Sequence, residues 1–356
     1  MKHLIRLSLL FVLLLAVTRP VSAVVFVHLS DTHINVTGKG RFSQESIPTL
    51  RRAVAAIRII KPAFVIVTGD ITEYGDEASM AAYWAEIEKV GVPVHTVQGN
   101  HDKPRKPERF NRVVGATHPV FDIEGCRFIG LNLDLADEAL ALLKEQLADA
   151  KAKGIRSVFT FAHYPLLAPD NAAFNLSPGC ASLQGERALR YLALAQEGGI
   201  VAHFCGHLHS SYDVADPYTG ILSLPVPGCV DHKGAFRVCS VTDGVLSWSV
   251  FDGSTWPLAI LESVPPHVRS GTAFLEGKVS LQLLAFGPEP VLEATLGGVG
   301  RDVLPPVVCT TAGRAFEGTL DCTQLKSNFY NLRAHLVDAA GNASDRTWRV
   351  LVKGGK

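Results

Sequence analysis

The sequence predicts an α/β domain in residues 24–258, followed by a small all-β sandwich domain in residues 272–356. Three observations lead to this prediction. Short apolar runs alternate with amphipathic helical patterns up to about Asp252, which is typical of sheets with helices on both faces. Pro-rich segments after that point indicate a linker over residues 259–271. The remaining residues form short β-rich runs separated by Gly and Pro, which favours a small sandwich.

The first 23 residues have the pattern of a signal peptide. Lys2 and Arg6 precede the apolar run 7–17, and Val21-Ser22-Ala23 has the small residues of a cleavage site. The apolar run is about half of the roughly 20 residues that a membrane-spanning helix needs, which disfavours an uncleaved anchor. We therefore expect a mature chain that begins near Val24, is exported to the periplasm or secreted, and has no membrane span.

The charge balance of the sequence indicates which classes of binding partner to expect. The 34 basic and 34 acidic residues cancel, so bulk charge predicts no specific nucleic-acid binding and no attraction to an anionic membrane. The expected partner is a small molecule. Seven cysteines leave at least one thiol unpaired, and a pair between Cys309 and Cys322 in the β domain stays open on sequence grounds.

The elements follow from the spacing of apolar residues. Runs of four to six apolar residues predict strands, and 3.6-residue periodicity predicts helices. The predicted strands of the α/β domain are Val24–Leu29, Phe64–Val67, Val94–Val97, Arg127–Leu131, Ser157–Phe161 and Ile200–Phe204. The predicted helices are Ser46–Ile60, Glu77–Val90, Asp137–Lys153 and Leu183–Gln196. The predicted strands of the β domain are Lys278–Phe286, Val291–Leu296, Asn331–Val337 and Arg346–Val352.

Five predicted strands run directly into a turn rich in Asp, His or Gly. These turns are Asp31-Thr-His33, Gly69-Asp70, Gly99-Asn100-His101-Asp102, His163 and Gly206-His207-Leu-His209. Strands of an α/β sheet deliver their following loops to one edge, so we expect the five turns to meet. Imidazole and carboxylate groups together are typical transition-metal ligands.

In this order, the five turns resemble the motifs of the calcineurin-like metallophosphoesterase superfamily, from Val24 to about Asp252. The resemblance implies a β-sandwich flanked by helices and two divalent metal ions. It assigns Asp31, His33 and His209 to one ion, Asn100, His163 and His207 to the other, and Asp70 to both. It also implies that His101 is the catalytic group that donates a proton to the leaving oxygen, oriented by Asp102.

Four imidazoles and an amide favour Mn, Fe or Zn over Mg or Ca, which prefer oxygen ligands. Two ions carry four positive charges, of which Asp31, Asp70 and a bridging hydroxide would cancel three. About one positive charge remains, which suits a phosphate ester attacked by that hydroxide.

Residues within and next to the motifs indicate which class of phosphoesterase to expect. Protein Ser/Thr phosphatases carry Arg after the bridging Asp and Glu at the end of the third motif, whereas this chain has Ile71 and Asp102. Purple acid phosphatases carry a metal-binding Tyr where this chain has Glu73, with Tyr74 one residue later. The stretch 69–75 resembles small bacterial cyclic-nucleotide and glycerophosphodiester phosphodiesterases, so we expect a phosphodiesterase.

Two alternatives stay open. One is a phosphomonoesterase of the same superfamily. The other is a surface-binding protein whose β-sandwich is the working part, since residues 330–342 resemble the late strands of immunoglobulin-like or fibronectin-like modules. The loops expected to select the substrate are 37–43, 103–119 and 168–179. Their basic residues Arg41, Lys103 and Arg105 either touch phosphate or are merely solvated.

Overall fold

The computed structural model describes residues 23–103, 107–166, 183, 185–215, 219–262, 274–298 and 307–355. Residues 1–22 of the predicted signal peptide lie outside the described residues, as do Arg105, the loop 168–179 and most of the predicted linker.

Helices and strands alternate in the first part of the chain, and strands alone follow in the last part. The helices are α1 (Ser46–Ile60), α2 (Glu77–Ile87), α3 (Pro107–Val113), α4 (Ala136–Ala152) and α5 (Glu186–Glu197). The strands before residue 252 are β1 (Val24–Leu29), β2 (Phe64–Val67), β3 (Val94–Thr96), β4 (Val120–Ile123), β5 (Cys126–Leu131), β6 (Ser157–Ala162), β7 (Ile200–Cys205), β8 (Val214–Ala215), β9 (Leu222–Pro225), β10 (Phe236–Thr242) and β11 (Val245–Phe251). The later strands are β12 (Leu258–Leu261), β13 (Phe274–Glu276), β14 (Lys278–Phe286), β15 (Val291–Gly298), β16 (Val307–Val308), β17 (Thr310–Ala312), β18 (Ala315–Asp321), β19 (Asn328–Asp338) and β20 (Ala343–Lys353).

Two mixed sheets form the first part of the molecule. The first sheet has the order β11-β10-β1-β2-β3, with β1, β2 and β3 parallel. The second has the order β4-β5-β6-β7-β9-β8, with β5, β6, β7 and β9 parallel. Parallel strands are covered on both faces, which explains why β2, β5 and β6 are buried along their whole length.

The two sheets pack face to face through aromatic side chains. Phe26 of the first sheet stacks on its neighbour Phe64 at 5.0 Å and meets Phe128 and Phe204 of the second sheet edge-on, at 5.2 and 5.5 Å between ring centroids. Edge-to-face pairs at these distances stabilise a core beyond the burial of their area. This aromatic layer fixes the sheets in register and therefore fixes the relative positions of their strand ends.

Helices cover the outer faces of both sheets. Apolar residues of α1 and α2, such as Leu50 and Met80, share a core with Val27 and Val65 of the first sheet. Leu143 of α4, together with residues of α5, packs on the second sheet in the same way. The predicted α/β fold with helices on both faces is confirmed.

The remaining strands form two further sheets around a separate core. Their orders are β12-β14-β18-β17 and β13-β20-β19-β15-β16. Leu283, Phe316, Leu336 and Val350 are among the buried residues that join them. Side chains along β19 and β20 alternate between buried and exposed, as expected for strands with one face on a core.

Strand β12 corrects the predicted linker, because residues 259–261 belong to a sheet. Leu258 and Ile260 point into the core beneath α1, whereas Ala259 and Leu261 point into the core of the later sheets. The strand pairs with β14, and Arg314 donates to the Ile60 carbonyl at the end of α1 at 2.7 Å. The signal was a short run of four apolar residues, Leu-Ala-Ile-Leu. Because both faces of the strand are buried, the run lacks the apolar–polar alternation of a half-buried strand.

The structure also contains elements that were not predicted from the sequence. Helix α3 and strands β4, β8, β9, β10, β11, β13, β16, β17 and β18 were not among the predicted elements. Cys309 and Cys322 are free thiols. Among the residues that the structure describes, none of the helices combines the length and the apolar character needed to cross a bilayer.

Candidate metal centre

The five predicted turns follow β1, β2, β3, β6 and β7, three strands of the first sheet and two of the second. Because the strands are parallel within each sheet and the sheets face each other, their carboxyl ends meet at one edge of the sandwich. The structure brings all seven predicted ligands together at that edge, and we call this cluster the metal centre.

One group of ligands gathers around Asp31. Its Oδ1 lies 3.3 Å from Nε2 of His209 and 4.0 Å from Nε2 of His33. The two imidazole Nε2 atoms lie 3.2 Å apart. Three donor atoms so close, on largely buried side chains, match one side of a coordination sphere.

A second group gathers around the side-chain oxygen of Asn100. This oxygen lies 2.9 Å from Nε2 of His163 and 3.0 Å from Nδ1 of His207, and these nitrogens are 3.1 Å apart. Asp70 lies between the groups, since its Oδ2 is 3.7 Å from Nε2 of His33 and 3.3 Å from Nε2 of His163. The arrangement is two sets of three ligands with one shared carboxylate.

The outer nitrogens of three imidazoles are occupied by acceptors. Nδ1 of His33 binds Oε2 of Glu73 at 2.7 Å, Nδ1 of His163 binds the Thr68 carbonyl at 2.9 Å, and Nδ1 of His209 binds Asp231. Each acceptor fixes the proton on Nδ1, so the lone pair of Nε2 faces the cluster. This donor set fits divalent metal ions, whose histidine ligands are held by such outer acceptors.

Backbone conformation marks the same residues. Five of the seven predicted ligands have positive φ angles: Asp31 (53°), His33 (42°), Asp70 (47°), His207 (68°) and His209 (48°). Non-glycine residues occupy this region in only a few per cent of cases, with Asp and His enriched. Such strain gathers at functional sites, where the surrounding structure enforces it.

Close packing of the turns explains two of the motif glycines. A Cβ atom on Gly99 would overlap the backbone nitrogen and the carboxylate of Asp70, and one on Gly206 would overlap the side chains of Ser30 and Asp31. The glycines therefore allow neighbouring turns to approach closely enough to share ligands.

Burial and neighbouring charges shift the pKa values of the clustered side chains in opposite directions. Burial disfavours the charged form of His163 and His209, but nearby carboxylates outweigh it and raise the pKa of each to about 9. Burial would raise the pKa of Asp70, yet His163 and His33 hold it well below its usual range. Burial and the neighbouring His163 lower the pKa of His207 to about 4. The carboxylates thus hold positive charge at His163 and His209, whereas burial lowers the pKa of His33 and His207, so these two imidazoles favour the neutral form that binds a metal ion.

His101 lies beside the cluster and remains accessible. Its backbone N–H donates to Oδ1 of Asp70 at 2.8 Å, and its ring Nδ1 binds the Glu73 carbonyl at 2.9 Å. The side chain is 36% exposed, and the ring lies 4.8 Å from that of His33. This contact leaves Nε2 of His101 as the nitrogen that can meet a bound molecule.

Asp102 has a different role from the expected one of orienting His101. Its carboxylate is buried and accepts hydrogen bonds from the backbone N–H groups of Ile71, Thr72 and Gly99, at 2.9 to 3.1 Å. Burial and the neighbouring Asp70 raise its pKa to about 6, despite these donors. Asp102 thus ties the turn of Asp70 to the turn of Asn100, whereas the backbone of Glu73 orients the His101 ring.

Sequence reasoning missed the outer acceptors. In the sequence, Glu73 was noted only because it replaces the metal-binding Tyr of purple acid phosphatases. Its position close to Asp70 of the second motif could have indicated a contact with a ligand. Asp231 lies in a turn after β9 that carries no motif, and it meets His209 only through folding. His232 of the same turn donates from Nε2 to the His209 carbonyl at 3.0 Å.

Fold and site together define an α/β protein with a metal centre built from strand-end turns. Residues 24–211 match the family model of the calcineurin-like phosphoesterases, and the chain belongs to that family. It is a metal-dependent phosphoric ester hydrolase that uses divalent metal ions.

Similar proteins include two bacterial phosphodiesterases. A probable glycerophosphodiester phosphodiesterase of Arcobacter nitrofigilis is 28% identical over 202 residues, covering 52% of this chain and 71% of that protein. A probable cyclic nucleotide phosphodiesterase of Rhodopseudomonas palustris is 31% identical over 159 residues, covering 39% of this chain and 57% of that protein. A purple acid phosphatase structure from yellow lupin aligns with a TM-score of 0.48 and 16% identity, covering 66% of this chain and 53% of that one.

Proposed function

We propose that this protein is an exported phosphodiesterase that works with two divalent metal ions. Asp31, His33 and His209 would hold one ion, Asn100, His163 and His207 the other, and Asp70 both. The observation that carries this proposal is the paired geometry: two sets of three donor atoms, with the Asp70 carboxylate between them. Relatives named as probable phosphodiesterases support the choice of diesters.

Metal ions held there would lower the pKa of coordinated water and neutralise the non-bridging oxygens of a phosphate ester. The chain's own residues do the positioning. Glu73, Thr68 and Asp231 hold the imidazoles at fixed angles, and Asp102 keeps the two turns that carry Asp70 and Asn100 together. A preorganised site of this kind needs little rearrangement when charge develops on the phosphate.

His101 is the proposed proton donor. The leaving oxygen of an ester needs a proton or a positive charge as its bond to phosphorus breaks, and Nε2 of His101 is accessible at the edge of the cluster. The backbone carbonyl of Glu73 accepts from Nδ1, which fixes the ring and lets the proton at Nε2 be given up.

Three further points belong to the proposal. The ions are Mn, Fe or Zn, because four imidazoles contribute to the donor set. Residues 1–23 act as a signal peptide that directs export of the catalytic domain, residues 24–258. Residues 272–356 form an immunoglobulin-like sandwich, supported by two sheets around one core, and its role is to position or support the catalytic domain.

Hydrolysis of bis-p-nitrophenyl phosphate tests the reaction. The mature protein, reconstituted with Mn, Zn or Fe, should hydrolyse this diester faster than p-nitrophenyl phosphate. His101→Ala should lower kcat by about a hundredfold, within the 10²–10⁴ that a positioned acid supplies, while the metal content is retained.

A matched control is His335→Ala, because His335 is an exposed histidine of β19 that pairs with Asp345, on a different domain. Its activity should equal that of the unaltered protein. Failure to hydrolyse either ester with any of the three metals would overturn the proposal, and faster hydrolysis of the monoester would favour a phosphomonoesterase.

A further inference from the structure

An aromatic and cationic surface adjoins the metal centre. The ring of Phe42 lies 5.3 Å from the ring of His33, measured between centroids, and the guanidinium carbon of Arg41 lies 4.4 Å from the Phe42 centroid. Arg41 is exposed and Phe42 partly exposed. A cation at this distance is attracted to the ring face, and a guanidinium also stacks on flat groups. The two side chains therefore form a platform next to a predicted ligand.

The loop that carries this platform is held by a buried side chain. Nδ2 of Asn35 donates to the carbonyls of Lys39 and Arg41 at 2.8 and 2.7 Å, and its Oδ1 accepts from the Thr37 backbone at 3.1 Å. Phe42 has a φ of 62°, which is unfavourable for a bulky residue. The loop is thus constrained by Asn35, and the Phe42 ring is placed against His33 despite its own backbone preference.

Tyr74 contacts the same loop. It follows Glu73, which contacts both His33 and His101. Its side chain is 44% exposed, and its hydroxyl lies against Gly40, where a Cβ atom would collide with it. Tyr74 therefore places an exposed aromatic ring beside the loop that carries Arg41 and Phe42.

We propose that Arg41, Phe42 and Tyr74 form a subsite that binds a flat aromatic ester group of the substrate, such as the base of a nucleoside phosphodiester. This rests on the proposed phosphodiesterase function. Stacking on aromatic side chains is tolerant of base identity, since every base has a π face, and rigid rings lose little conformational entropy. A glycerol-type ester has no ring to stack and gains nothing from this subsite.

A matched pair of substrates isolates this interaction. Adenosine 3′,5′-cyclic phosphate and the corresponding ribose cyclic phosphate without a base carry the same charge, so attraction of the phosphate to Arg41 affects both equally. We expect kcat/KM to be roughly tenfold higher for the substrate with the base, mainly through KM, because stacking of the base on aromatic side chains stabilises the bound substrate.

Variants of the subsite should reduce that ratio. Tyr74→Ala and Phe42→Ala are each expected to lower it roughly fivefold or more by raising KM for the base-bearing substrate, while Tyr74→Phe, which keeps the ring, should retain it. Metal content is measured alongside, because Phe42 contacts His33. The matched controls are Arg349→Ala and Phe329→Ala, which alter a similar cation–ring pair, at 4.6 Å, on β19 and β20. Both should leave the ratio unchanged.

The outcomes separate the two proposals. If bis-p-nitrophenyl phosphate is hydrolysed but the ratio is near one, or survives in both Tyr74→Ala and Phe42→Ala, the subsite is wrong and the phosphodiesterase function stands. If neither the cyclic phosphates nor bis-p-nitrophenyl phosphate is hydrolysed with added metal, the proposed function fails and takes the subsite with it.

Discussion

The metal-centre region and the later two-sheet region differ in which residues have positive φ angles. In the described residues up to Asp243, eleven non-glycine residues have positive φ, and five of them are predicted ligands. Among the described residues from 274 onward, positive φ occurs only at glycines, namely Gly277, Gly313 and Gly341. The later region uses relaxed turns to join strands. In the earlier region, five of the strained residues lie where the ligand side chains meet.

The two regions also differ in what they bury. The first buries Asp31, Asp70 and Asp102 beneath imidazoles and backbone donors. Among the described residues from 274 onward, the buried carboxylate is Asp338, which accepts from the backbone N–H groups of Ala340 and Asn342 in its own turn. Buried charge is costly unless it is paired, so the cluster of carboxylates favours bound cations in the first region.

The largest expected effect comes from removing the shared carboxylate. Asp70→Asn should lower kcat/KM for the diester by at least about a hundredfold and reduce the bound metal measured by elemental analysis. Asp338→Asn is the matched change in the other region. It should leave metal content and activity unchanged while lowering the urea concentration at the unfolding midpoint, since it weakens hydrogen bonds to a charged acceptor. Equal activity of Asp70→Asn and Asp338→Asn would contradict the proposed difference between the two regions.

A pair of glycine substitutions tests the close approach of the turns. Gly99→Ala places a methyl group against Asp70 and should lower the stability by about 1–3 kcal/mol, with reduced metal content. Gly297→Ala, on β15, meets no atom within 4 Å and should be neutral or stabilising by up to about 1 kcal/mol. Urea unfolding measures both. The contrast between regions would be lost if the two variants changed stability alike.

The smallest effect is expected from an outer acceptor. Glu73→Gln keeps an oxygen near Nδ1 of His33 but removes its charge, so metal affinity should fall roughly tenfold, at the low end of the range for such partners. Competition with a metal chelator measures this affinity. Glu317→Gln, an exposed substitution on β18, provides the control. Unchanged affinity in Glu73→Gln would show that the hydrogen bond to His33 does not depend on the charge.

Local patterns were sufficient for most of the elements before residue 205. The bounds of β1, α1 and β2 agree with the prediction at both ends, because each element is apolar or periodic and ends at a clear polar or Pro-containing boundary. The edge strands β4 and β8 escaped prediction, because short strands at a sheet margin carry little periodic signal. Strand β12 was not predicted because its two faces are buried in different cores, so its sequence does not alternate between apolar and polar residues.

The sequence by itself determined the family, the α/β alternation and the set of chemically suited residues, since apolar runs followed at once by Asp, His and Asn can be recognised along the chain. Tertiary structure alone decided how these residues are arranged. It joined Asp231 to His209 across 22 positions of sequence, and it directed the Asp102 carboxylate to backbone donors rather than to His101. It also placed Phe42 on His33. These contacts join residues that only the folded chain brings together, so their geometry depends on how the strands pair and the turns pack, which no local pattern encodes.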